Sequence, residues 1–223
     1  MFFCFRIVIM NLQTGSLASQ RQHTESSLSG LDLIEKECWS MLQEGAGKGK
    51  SAFHTFVLGT RTSNSIELRT LVLRKIEKGS RSLFTHTDLR SPKARQLQEN
   101  RICSLLFYDA ARRVQLRMEA ETIIHLDNEV TERLWAQTNM SARKSYLSTR
   151  SPGERLSKPD DGLPSHLHGR DPRPEESEDG RRNFMVLEFR IKSIDWLFLN
   201  AQGHRRASLL YSENGYDANW INP

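Results

Sequence analysis

Cysteine is scarce in this chain of 223 residues: Cys4, Cys38 and Cys103 stand far apart, with no CxxC or CxxH spacing. An odd, scattered set gives neither a disulfide framework nor a zinc site. Long apolar runs are missing too. The strongest, "MFFCFRIVIM" at the start, is interrupted by Arg6 and is far shorter than the roughly 20 residues a spanning helix needs. With no basic segment before it, it does not read as a secretion signal, and translation from Met10 with a disordered lead-in through residue 30 is the simpler expectation. No sign of charge dominates, because 32 basic residues are interspersed with 27 acidic ones for a net charge of +5. That balance favours anionic partners in general, and without an aromatic-basic stripe it argues against nucleic acid. Reduced thiols and the lack of a span predict a cytoplasmic protein with no membrane partner.

Proline is rationed to seven residues, most of them between 151 and 182, where charge is dense and no periodicity shows. That segment reads as a flexible insert. Its "HLH", His166 and His168, has no carboxylate at ligand spacing, so no metal is expected. The insert divides the chain into a tail (1–30), a main domain (31–150), the insert (151–182) and a C-terminal part (183–223). With 37% hydrophobic residues, one sizeable core is within reach.

What is present is largely β pattern. Leu31, Ile34, Cys38, Met41 and Leu42 recur at helical spacing, and "EGAGKGK" is expected to stop that helix. "FHTFVLGT", "SIELRTLVLRKI" and "SRSLFTHT" read as three strands on short connections, hence antiparallel. "ICSLLFY" reads as a central strand, and "RVQLRMEAETIIH" alternates with Val114, Leu116, Met118 and Ala120 on one face. Asp127 is placed as the cap of a helix running to about Thr138, with a shorter helical segment over 142–147. "NFMVLEFRIKSIDWLFL", "HRRASLLY" and "DANWI" complete a set of six to eight strands. Trp39, Trp135 and Trp220 read as packing residues. The class predicted is mainly β with flanking helices (α+β), a small closed or partly closed antiparallel barrel.

Within "THTDLRSPKARQLQEN" (85–100), Ser91 suits an N-cap, Pro92 the first helical position, and Lys93 adds a positive charge beside unpaired backbone N–H groups. Such a terminus is preorganised for phosphate, although the same residues also make an ordinary capped surface helix. Arg69 and Arg74 flank Leu71, Val72 and Leu73, and five residues of strand span roughly 16 Å. That suits a ligand with a phosphate at one end and a polar heterocycle at the other. The odd separation puts the two arginines on opposite faces, so a bulge, a twist or a second subunit is required. Gln115 offers an amide donor and acceptor.

The order "RTLVLR", "LFTHTDLRSPKARQLQENRICSLLFY", "RRVQLRMEAE", then "RKSYL", "IDWL" and "GHRRA" resembles the pyridoxamine 5'-phosphate oxidase-like family of FMN-binding split barrels, over roughly 50–150 and 183–223. The resemblance implies an antiparallel split β-barrel that is homodimeric, with FMN at the interface. It implies that Arg69, Ser91 and Lys93 hold the phosphate and that Thr70, Leu71, Val72, Leu73, Arg74 and Thr87 line the flavin. Gln115, Trp196 and Arg206 would complete the site, with Arg143, Tyr146 and His204 toward a small substrate. It assigns no catalytic residue. The segment "QGHRR" departs from the family's "RLHDR"-like pattern, with Gln202 and Arg205 in place of the arginine and aspartate, and Arg74 stands where a lysine is expected. The implied activity is an FMN-dependent oxidoreductase, with a flavin carrier or sensor as the alternative.

Overall fold

The computed structural model describes residues 30–223, so the expectations for the N-terminal segment before Gly30 lie outside it. The first helix, α1 (Leu31–Gly47), runs five residues beyond the periodic segment. It ends inside "EGAGKGK" as expected, with Lys48 as its C-cap, but the first glycine of that run is a packing residue: a Cβ on Gly45 would lie 2.3 Å from the Phe53 carbonyl oxygen. The helix therefore continues through glycine so that a single turn of 3-10 helix, Ala52–His54, can press against it.

Nine strands follow among the described residues, one more than the upper expectation: β1 (Thr55–Arg61), β2 (Ile66–Val72), β3 (Lys75–Glu77), β4 (Ser82–Asp88), β5 (Ile102–Asp109), β6 (Val114–His125), β7 (Phe184–Phe198), β8 (Arg205–Ser212) and β9 (Gly215–Ile221). Helix α2 (Pro92–Glu99) links β4 to β5. Helices α3 (Glu129–Gln137), α4 (Met140–Lys144) and α5 (Pro174–Ser177) lie between β6 and β7. Asp127 does not cap α3: its φ is +47°, and Asn128 is the N-cap, its side chain accepting from the N–H groups of Val130 and Thr131. The shorter helical segment begins earlier than expected, at Met140, because the Asn139 side chain accepts from Ala142 N–H.

The hydrogen-bonded path is β2–β1–β5–β6–β7–β4–β3, with β8 on β7 and β9 on β8, and every pairing is antiparallel. The α+β class is as expected, but the sheet is not closed. The single strand expected over 65–76 is two, because the chain changes partner between them: Leu73 N–H donates to His54 O at 2.8 Å and Arg74 N–H to Phe84 O at 2.9 Å. β7 spans the sheet, pairing with β4 along Phe184–Asp88 to Arg190–Ser82, with β8 along Ser193–Phe198, and with β6 on its other side.

One face is covered. Phe56, Phe107, Leu116, Trp196 and Ala207 form a continuous buried row beneath α1 and α2. A smaller core, Phe84, Leu134, Trp135, Tyr146, Phe184 and Val186, seats α3 and α4 at the β4 end of β7. Trp39 and Trp135 pack as expected, whereas Trp220 is 47% exposed at the edge of Trp196. Among the described residues no helix is long and apolar enough to cross a membrane.

Candidate functional site

Arg69 occupies the register position opposite Leu58, on the covered face of the sheet at its edge. Its guanidinium is drawn beneath α2. Nη1 donates to Leu58 O at 3.5 Å and to the Thr60 hydroxyl, while Nη2 donates to Gln96 Oε1 at 3.1 Å and Glu67 Oε2 at 3.0 Å. Gln96, one turn along α2 from Lys93, also accepts from Thr60 Oγ1 at 2.6 Å. This buried amide and hydroxyl fix the arginine's plane.

Lys93 enters the same corner from the first turn of α2, donating from Nζ to Thr87 Oγ1 at 3.0 Å. Burial, and then the like charge of Arg69, push its ammonium below the ordinary lysine value, with Asp88 opposing. Two cations thus share one corner, Arg69 paired with the half-exposed Glu67 and Lys93 under the influence of the buried Asp88. Ser91 is the N-cap by backbone geometry, yet its hydroxyl makes no capping bond and lies instead 3.5 Å from Thr87 Oγ1. The capped-surface-helix reading does not describe this terminus, because Ser91 is buried and its hydroxyl makes no capping bond. Arg69, Thr87, Ser91 and Lys93 form a corner of N–H and O–H donors with surplus positive charge, the chemistry of a phosphate seat.

The other expected residues are distributed differently. Thr70 is exposed, Leu71 and Val72 are half-buried, and Leu73 is fully buried. Arg74 is exposed at the change of partner, beside a cavity of about 390 Å³ that Lys75, His54, His86, Gln137 and Asn139 also line. His86 is held neutral there: burial, reinforced by the Arg74 charge, pushes its pKa down to about 4. Gln115 and Arg206 share one cross-strand row with Leu197 on the open face of the sheet, opposite to Arg69. Arg206 is gripped by Asp195 at 3.0 and 2.7 Å. Trp196 lies in the core, wholly buried and stacked on Phe198.

Arg143 and His204 sit toward opposite ends of β7. His204 is exposed in the turn before β8, its Nδ1 accepting from Asn200 N–H at 3.1 Å. Arg143 is 6% exposed and engaged within the fold: it donates to Thr138 O, Trp135 O, Ser177 Oγ and Glu178 Oε1 and lies over the Trp135 ring at 4.5 Å. Tyr146 packs edge-on against Trp135 and Phe184. One chain therefore assembles the corner at Arg69 and Lys93 but leaves Gln115, Arg206 and His204 away from it.

Sequence reasoning missed Thr60, Glu67 and Gln96. The spacing of Gln96 three residues after Lys93 was its available signal, since i and i+3 share a helix face.

The neutral His86 carries a pH consequence. Its folded pKa of about 4 lies below the ordinary histidine value, so the unfolded chain binds the extra proton between about pH 6.5 and 4 and stability falls as pH drops through that window. We expect a loss of about 2 to 3 kcal/mol between pH 7 and 4.5 from this group. Urea unfolding at the two pH values checks it, and a His86→Phe chain with the same pH slope as wild type would rule it out.

An open, mainly antiparallel sheet with flanking helices, and a cationic, donor-lined corner at one helix start, describe the class. The family described as "Pyridoxamine 5'-phosphate oxidase, FMN-binding domain" matches residues 36–125. Among solved structures, the chain is similar to a pyridoxamine 5'-phosphate oxidase-related, FMN binding protein from Nostoc punctiforme, at 22% identity and TM-score 0.64, covering 84% of this chain and 96% of that one. PhzG from Burkholderia lata, solved in complex with tetrahydrophenazine-1-carboxylic acid, is similar at 16% identity and TM-score 0.65, covering 89% and 96%. ChuZ from Campylobacter jejuni is similar at 9% identity and TM-score 0.54, covering 95% and 72%. Among curated proteins no sequence matches significantly.

Proposed function

We propose that this chain binds FMN between two copies of itself and serves as an FMN-dependent oxidoreductase acting on a small substrate. The observation that carries the reading is the position of Lys93, bonded to Thr87 Oγ1 beside Ser91 and close enough to Arg69 for that like charge to lower its pKa, an arrangement that a bound anion would favour. These four residues hold the phosphate. The main chain from Thr70 to Leu73 would line the flavin, with the cavity beside Arg74 available at the far end of that strand. FMN would supply the redox chemistry, taking a hydride from substrate and passing electrons to oxygen or another acceptor. Arg74 places a permanent positive charge where the pyrimidine side gains negative charge.

A homodimer answers the placement of Gln115 and Arg206, which reach such a site only from a second copy. The open face supports it. Ile66 is 72% exposed, Leu68 69% and Leu210 57%, and Ile102 and Tyr108 are also exposed on that face. Exposed apolar side chains on this face suit contact with a second copy.

A flavin-binding protein without turnover would use the same corner, and one observation favours it: Arg143 is engaged structurally and His204 lies in an exposed turn, so two of the three expected substrate contacts do not face a common pocket within the chain. The tests are separable. Purified protein should be yellow or take up added FMN with flavin absorbance, and a colourless protein that takes up none overturns both readings. Incubating the FMN form with pyridoxamine 5'-phosphate and oxygen, and following aldehyde and peroxide, separates an oxidase on that substrate from a carrier.

A further inference from the structure

Arg69 has five N–H donors, and the fold already commits four of them. Nη1 serves Leu58 O and the Thr60 hydroxyl, and one Nη2 hydrogen serves Gln96. These three acceptors belong to the sheet edge and to α2. The fourth bond, from Nη2 to Glu67 Oε2 at 3.0 Å, differs in kind. Its acceptor is a carboxylate on the same strand, two residues away, with 48% of its side chain exposed against 18% for Arg69. Glu67 thus covers the solvent side of the guanidinium, the side from which an anion arrives. Only Nε–H remains, and one N–H cannot grip a phosphate in the two-point fashion for which arginine is suited.

We propose that Glu67 is a built-in competitor for the phosphate seat, an internal anion that occupies Arg69 until a phosphate monoester displaces it and so sets the site's threshold for phosphate. The exchange is feasible because the carboxylate is half-exposed and regains water when it swings away, whereas the acceptors on Thr60 and Gln96 are buried and stay in place. The incoming group offers more than it replaces, since a phosphate monoester carries up to two charges and also reaches Lys93, which Glu67 does not pair. A singly charged carboxylate ligand would gain little from the swap. Glu67 therefore biases the seat toward doubly charged phosphate and against carboxylates.

The inference rests on the FMN reading for the identity of the ligand but not for its chemistry, so FMN, riboflavin and inorganic phosphate are titrated separately into wild type and Glu67→Gln. The amide keeps the shape and loses the charge. FMN and inorganic phosphate should bind the variant about threefold more tightly or better, the scale of an exposed ion pair, while riboflavin, which lacks phosphate, stays within error. The gain should shrink in 0.5 M KCl, as screening removes the competing charge. Equal or weaker FMN and phosphate binding by the variant overturns the proposal, making Glu67 a scaffold for Arg69. A gain shared by riboflavin also overturns it. If wild type binds inorganic phosphate but no FMN, the flavin reading fails, and the phosphate arm still decides the role of Glu67. Glu67→Ser, at this exposed strand position, repeats the test should the glutamine chain fold poorly.

Discussion

Lys93→Ala should weaken FMN binding by about 1 to 3 kcal/mol, roughly five- to 150-fold, while leaving riboflavin binding unchanged. The lysine is half-buried and donates to Thr87, and burial and then the Arg69 charge disfavour its ammonium form. In the free protein that charge is a burden; opposite a phosphate it is an asset. The substitution therefore removes an interaction made only in the complex. Lys93→Met separates charge from packing, because it keeps most of the stem in place: it should lose the same phosphate affinity with little change in the urea midpoint of the free protein. Fluorescence quenching of FMN and riboflavin on titration measures both arms. Unchanged FMN affinity would mean the phosphate lies elsewhere.

Arg143→Ala should instead cost folding stability, on the order of 2 to 4 kcal/mol, with FMN affinity within twofold of wild type. The guanidinium is buried and closes the corner between α3 and α4 by donating to two main-chain carbonyls, and it ties that corner to α5 through Ser177 and Glu178. Its removal takes the side-chain donor from the Thr138 carbonyl, leaves that of Trp135 with only the Thr138 N–H, and uncovers the Trp135 ring. Glu178 is half-exposed and can recover water, which keeps the cost below that of a fully buried pair. Denaturant unfolding read beside flavin titration distinguishes the two roles. A variant of normal stability that loses substrate or cofactor would restore the ligand-facing role implied by the family resemblance.

These two residues show what the linear chain makes legible. The alternation in β6 was readable because each inward position, Val114, Leu116, Met118 and Ala120, is buried while Arg117 and Glu119 are exposed. One solvated face prints its period on the sequence. Lys93 was readable because Ser91 and Pro92 mark a helix start locally. The partner change at Leu73 and Arg74 left no local mark, since it depends on His54 at the end of the 3-10 turn and Phe84 in β4 supplying the two carbonyls. Gly45 carried a misleading one: a helix-stop residue in isolation, it is a contact surface for Phe53 in the fold. Arg143 looked like a ligand residue because nothing near it in sequence announces that Ser177 and Glu178, more than thirty positions later, take its donors. Gln96 stayed hidden for the same reason, as its role exists only once α2 folds over the sheet edge, whereas Glu67 stands two residues from Arg69 on the same strand and its pairing was a local signal left unread.

β7 imposes an order on biosynthesis. Until residues 184–198 leave the ribosome, β2–β1–β5–β6 and β4–β3 are separate sheets, each presenting a bare edge to the gap that β7 will fill. The interval is lengthened by the 58 residues between His125 and Phe184, all made after β6 and before its second partner exists. Bare edges recruit other strands, so nascent or truncated chains ending near Asn183 are the forms most exposed to aggregation and to chaperone capture. Premature termination there would remove only the last strands, yet it would leave no continuous sheet.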